Sequence, residues 1–115
     1  MTTTQQNPAT SPATLDALQD VIEVLDEAGL DAGLAELGVR AITTAPLAAA
    51  PHITIQIIDP EGMESLTGER VWSIGSMNYR TGCWLELAKL PEDASTQTIA
   101  LRALRAERQT TARYR

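Results

Sequence analysis

The sequence predicts an α+β domain: a three-stranded antiparallel meander sheet packed with an N-terminal helix region and a C-terminal helix. Three observations predict it. Leu18, Val21, Ile22, Leu25 and Ala28 recur at the three- and four-residue spacing of a helix. Ile53, Ile55 and Ile57 alternate with Thr54 and Gln56, the period of a strand with two unlike faces. Two more extended runs, 70–77 and 83–90, flank Tyr79-Arg80-Thr81-Gly82, and a helical run follows them. The chain holds 115 residues, room for one small domain, and 43% of them are hydrophobic. Aromatics are 3%, so the core is built from Leu, Ile, Val and Ala.

In chain order, residues 1–13 are polar or small with no apolar period. They are expected to form a disordered polar tail ahead of a single domain over 14–109. The first helix is expected over 15–28, capped by Ser11 or Thr14 and stopped at Gly29. A weaker helical piece, 32–37, follows Asp31 and ends at Gly38. Residues 39–42 are expected to be extended, and 43–51, with Pro46 and Pro51, reads as a connector. The first strand covers 52–58. Asp59-Pro60-Glu61-Gly62 has turn chemistry, and a loop is expected from there to Glu69.

The register of the following hairpin is set by parity. Trp72 and Ile74 share a face with Leu85 and Leu87 only if paired positions sum to an odd number. Asn78 then faces Cys83 across a four-residue loop, with Gly82 supplying the positive φ. The last helix is expected over 96–109, capped by Ser95 or Thr96. Ile99, Ala100, Leu101 and Leu104 are expected inward and Arg102, Arg105 and Arg108 in solvent, leaving 110–115 as a frayed basic C-terminus. Double-stranded-RNA-binding domains share the order helix, three strands, helix. They place a lysine cluster at the start of the last helix, where this chain has Glu92 and Asp93, so no resemblance is drawn.

The formal net charge is −6, against a generally basic nucleic-acid binder or adhesion to an anionic membrane. The charge is divided: residues 1–69 carry −10 and residues 70–115 carry +4. The first residues have neither a basic nor an apolar signal region, and no apolar run approaches the roughly 20 residues that span a bilayer. Cytoplasmic residence and no membrane partner are expected.

Catalytic and metal constellations are scarce. Cys83 and His52 are the single cysteine and single histidine, so a disulfide and a Cys-rich zinc site are excluded. Strand alternation makes Cys83 a small core residue near the sheet edge. The acids Asp59, Glu61, Glu64 and Glu69 lack the order of a calcium loop and are expected to be a solvated acidic loop. Gly29, Gly33 and Gly38 match no phosphate-loop spacing, and neither GxSxG nor HExxH occurs. No catalytic residue, metal or cofactor is expected.

What remains are surfaces. The second face of the sheet carries Thr54, Gln56, Val71, Ser73, Gly75, Met77, Trp84 and Glu86. A solvent face is usually richer in Lys, Glu and Thr, and Trp and Met are favoured at interface centres. Trp84, Met77, Val71, Ser73, Gln56 and Glu86 are therefore the candidate partner-binding residues. The second choice is an acidic stripe on the first helix: Asp16, Asp20, Glu23 and Glu27. The expected function is a small acidic non-enzymatic module that binds another protein, as an inhibitor or accessory factor. One alternative is a nucleic-acid-binding accessory protein using Arg102, Arg105 and Arg108. Another is a small ligand-binding or enzymatic module with its site on the Trp84 face. A homo-oligomer is a further candidate assembly.

Overall fold

Eight elements follow one another in the computed structural model, which describes residues 11–36 and 39–114. They are α1 (Pro12–Glu27), β1 (Ala32–Glu36), β2 (Arg40–Thr44), β3 (Ile53–Ile58), α2 (Pro60–Thr67), β4 (Val71–Asn78), β5 (Cys83–Pro91) and α3 (Thr96–Arg113). The class is α+β, as the periodicities predict. The sheet has five strands rather than three, in the order β1-β2-β3-β4-β5, with every neighbouring pair antiparallel.

Residues 32–36 form an edge strand paired with β2, not a helix. Ala-Gly-Leu-Ala-Glu has no β-branched residue, so local propensity points away from the ladder that tertiary pairing imposes. The segment read as a turn and acidic loop contains a helix, α2. Asp59 caps it, Pro60 takes its first turn, where a missing N–H is harmless, and Gly68 ends it. The connector expected over 43–51 also contributes to the sheet at its start. Thr44 ends β2, and its hydroxyl accepts the Ile55 N–H at 3.0 Å where the ladder with β3 stops.

Both long helices cover the same face of the sheet. Leu18, Val21 and Leu25 of α1 join Ile99, Ala100, Ala103 and Ala106 of α3 over Ile42, Ile53, Ile55, Ile57, Trp72 and Ile74. Ser11 caps α1 by accepting the Thr14 N–H at 3.2 Å. The Ser11 N–H donates to Glu61 Oε1 at 3.0 Å, tying the start of α1 to α2 and holding the Glu61 carboxyl below its ordinary pKa. The expected tail over 1–13 thus gives way to helix at Pro12; its residues 1–10 lie outside the described ones. At the other end α3 continues to Arg113, with Thr110 buried, so the chain expected to fray there is helical.

The phase of α3 also differs from expectation. Leu101 is 63% exposed, and the inward stripe runs through Ala100, Ala103 and Ala106. Small side chains at these positions let α3 lie close against both α1 and the sheet. Replacing Ala103 with Leu is therefore expected to overpack this seam and to lower stability by about 2 kcal/mol. Leu101→Gln should change it by no more than about 0.5 kcal/mol. Urea midpoints of the two variants check the assignment. Equal losses would place Leu101 in the core.

The β4–β5 hairpin has the register that parity demands, with Asn78 opposite Cys83. Asn78 Oδ1 accepts the N–H groups of Arg80 at 2.9 Å and Thr81 at 3.2 Å, and Gly82 has φ 75°. The register then shifts by one residue between Ile74 and Gly75, because Ile74 faces Ala88 while Gly75 faces Glu86. Leu87 is the extra residue. Leu85 and Leu87 share one parity and Leu90 the other. The bulge lets Leu87 and Leu90 both reach the helix-covered core.

Candidate functional site

Alternation along β3 and β4 builds the second face of the sheet. Ile53, Ile55 and Ile57 point into the helix-covered core, so Thr54, Gln56 and Ile58 point away from it. Across the ladder, Thr54 faces Met77, Gln56 faces Gly75, and Ile58 faces Ser73. On β5, Trp84 faces Met77 and Glu86 faces Gly75. The six sequence-predicted residues thus lie on one face, and the structure divides that face into two halves.

One half is covered. Helix α2 lowers Met63 onto Ala41 and Ile58, with Val39, Val71 and the indole of Trp84 packed around them. Ser73 is fully buried and its hydroxyl donates to Glu86 Oε2. Arg70 fastens this corner, reaching Glu64 of α2 at 2.6 Å and Glu92, between β5 and α3, at 2.8 Å. The two carboxylates raise the arginine pKa further and hold Glu92 below its ordinary value. Lys89 meets Glu69 at 3.0 Å. The acids expected to be a solvated loop are therefore a helix cap (Asp59), a strap to Ser11 (Glu61) and two ion-pair partners (Glu64 and Glu69).

Among the described residues, the other half has no helix over it. Its floor is Gly75, and the Trp84 ring lies against it so closely that an added Cβ would sit 2.5 Å from Trp84 Cζ2. Gln56 is 1% exposed, and its Nε2 donates to the Tyr79 hydroxyl at 3.1 Å. Met77 and Trp84 are half-buried, and Tyr79 is 57% exposed at the rim. Of the six candidate residues, Trp84, Met77 and Glu86 are accessible, whereas Ser73 and Gln56 are buried and Val71 sits under the edge of α2. Tyr79 was missed because it lies in the hairpin loop, where strand parity does not apply.

No known protein family, curated protein or solved structure matches the chain.

Asp16, Asp20, Glu23 and Glu27 are all exposed on α1. On α3, Arg105 and Arg108 are exposed and Arg102 is half-buried, and among the described residues none of the three meets a carboxylate. Cys83 is exposed, not a core residue, because the end of β5 at the hairpin loop lies at the rim of the helical layer. His52 lies edge-on to Tyr114, ring centroids 5.8 Å apart. Among the described residues it makes no hydrogen bond to Cys83, and no three His, Cys, Asp or Glu side chains converge as metal ligands. No helix among the described residues is long and apolar enough to cross a membrane.

Proposed function

We propose that the protein is a small non-catalytic cytoplasmic module that binds another protein on the sheet face around Trp84, as an inhibitor or accessory factor. One observation carries it. Among the described residues, half of this face has no covering helix while it displays Trp84, Met77 and Tyr79, three of the residue types favoured in the desolvated centres of interfaces. Gln56 beneath them has its amide donor engaged, so the floor is already organised before a partner arrives.

The test is a comparison of wild type with Met77→Glu and Trp84→Ala in affinity capture from the native host, followed by titration of the captured partner. Met77→Glu is expected to weaken binding by tenfold or more, about 1.4 kcal/mol, with an unchanged circular dichroism spectrum. Trp84→Ala is expected to do the same with some loss of stability, since the indole also packs beside Met63. Normal binding by folded Met77→Glu would remove this face from consideration. If light scattering gives twice the 12.4 kDa chain mass and Met77→Glu restores the monomer, the partner is a second copy of the chain. A second reading rests on exposed Arg105 and Arg108, which form no ion pair among the described residues. Salt-sensitive nucleic-acid binding lost in Arg105→Ala/Arg108→Ala, and kept in Met77→Glu, would favour it.

A further inference from the structure

At the C-terminal end of α3 a pocket of about 130 Å³ opens on the helix-covered side of the sheet. Ile53 of β3, Ser76 and Asn78 of β4, and Cys83 and Leu85 of β5 line one side. Thr110, Arg113 and Tyr114 close the other. Two of these groups are out of place for a mere surface dimple. Thr110 is 5% exposed and Ser76 9%, yet among the described residues neither hydroxyl meets a hydrogen-bond partner. Buried hydroxyls elsewhere do: Ser73 donates to Glu86 Oε2, and Thr44 accepts the Ile55 N–H at 3.0 Å. Buried hydroxyls are normally paired, so two unpaired ones lining one pocket mark where a ligand atom belongs.

The rest of the lining says which kind of atom. Asn78 Oδ1 is occupied by the N–H groups of Arg80 and Thr81, which leaves its Nδ2 to donate. Arg113 is exposed and, among the described residues, meets no carboxylate. Among the described residues, no Asp or Glu lines the pocket. A cation, an amide and two hydroxyls without an acid make a donor-rich site, which selects an acceptor bearing negative charge. The partial negative charge at the end of α3, roughly half an elementary charge, opposes an anion here, but the guanidinium carries a whole charge of the other sign. Ile53 and Leu85 add an apolar wall. The volume equals about four waters, far below that of a pocket for a drug-sized ligand.

We infer that this pocket binds a small carboxylate on a short apolar stem, its oxygens held by Arg113, Thr110 and Ser76 and its stem against Ile53 and Leu85. The carboxylate belongs either to a free acid or to the C-terminus of a peptide.

Cys83, the chain's single thiol, is exposed and lines the pocket, so its alkylation reports occupancy. The rate of N-ethylmaleimide addition to the full-length protein is followed by mass spectrometry with sodium butanoate, with neutral butanamide, and with sodium chloride at matched ionic strength. Butanoate is expected to protect Cys83 saturably, with backbone amide NMR shifts at Ser76 and Thr110, and the other two are not. Arg113→Gln is expected to raise the half-protecting concentration about tenfold or more, the loss of one charge-assisted pair. Thr110→Val, which keeps the shape and removes the hydroxyl, is expected to weaken protection in a folded protein. A short peptide ending in free Val that protects at lower concentration than butanoate, when its amide does not, identifies a chain terminus as the source. Protection by butanoate with none by the peptide identifies a free acid. Equal protection by butanamide or chloride, or undiminished protection of Arg113→Gln, overturns the site.

Discussion

Replacing Gly75 with Ala is expected to lower the stability of the protein by about 3 kcal/mol and the melting temperature by about 10 °C or more. The strain comes from two directions. A Cβ at this position would stand 2.5 Å from the Leu85 carbonyl oxygen and 2.5 Å from Trp84 Cζ2. A rotamer change would displace the ring, but the carbonyl belongs to the paired backbone of β5, next to the bulge at Leu87, and has nowhere to go. The substitution therefore acts on the proposed binding face as well as on the fold. Any molecules that remain folded hold Trp84 away from the floor, and tryptophan fluorescence should move toward that of a solvated indole. A thermal melt within 2–3 °C of wild type would mean that β5 is free to shift, and that the indole is not held where the structure puts it.

Asp59→Ala is expected to be nearly as damaging, by about 3 kcal/mol, through a different mechanism. The Asp59 side chain is 1% exposed and accepts the buried Gly62 N–H at 2.6 Å. Loss of an N-cap acceptor typically costs about 1 kcal/mol, and the orphaned buried donor adds about 1–3 kcal/mol. Asp59→Asn keeps the acceptor and should be at least as stable as wild type. Burial raises the Asp59 pKa, against the pull of the Gly62 hydrogen bond. The folded protein thus holds this proton more tightly than the unfolded chain. The group's contribution to stability grows as pH falls through its folded pKa and is complete below the ordinary value of 3.8. The midpoint difference between Asn and Asp variants should accordingly be largest in favour of Asn near neutral pH and shrink on acidification. Glu61 works the other way. The Ser11 N–H lowers its pKa, so its support is present above the ordinary value of 4.5 and lost as pH falls through the folded one. Urea titrations of the three Asp59 forms at pH 7 and pH 3.5 separate the cap from the charge; an Ala variant as stable as Asn would dismiss the cap.

The elements legible in the sequence are those where local pattern and tertiary demand agree. The Ile53–Ile55–Ile57 alternation, the Ser11 cap with its following proline, and the even loop ending at Gly82 each have one physical solution. β1 was not legible because Ala32–Glu36 lacks the branched residues of a strand, pairs with β2 alone, and is bounded by Asp31 and Gly38, which punctuate a helix equally well. The signature of α2 was present: Asp59 followed by Pro60 and, later, Gly68 is a cap, a first-turn proline and a stop. The acids between them drew attention to solvent instead. In α3, hydrophobicity ranked Leu101 above Ala103, yet the close approach of α1 selects the smaller residue. Parity alone placed Trp84, Met77, Gln56 and Ser73 on one face. Which of them remain accessible depends on α2 and on the Trp84 ring over Gly75, neither of which a one-dimensional pattern contains. The carboxylate pocket was hidden for a similar reason, since Thr110 and Arg113 belong to the turns of α3 that looked like a frayed end.

The strand order, in which every strand hydrogen-bonds to its neighbour in the chain, has a kinetic consequence. Each ladder closes a short loop at little entropic cost, so the meander can zip progressively. The contact of α1 with α3 is different, because it joins the two ends of the described chain and must await elements from both. That seam belongs late on the folding path. The overpacked Ala103→Leu variant should therefore unfold faster while folding at nearly the wild-type rate, a partition that stopped-flow chevrons resolve.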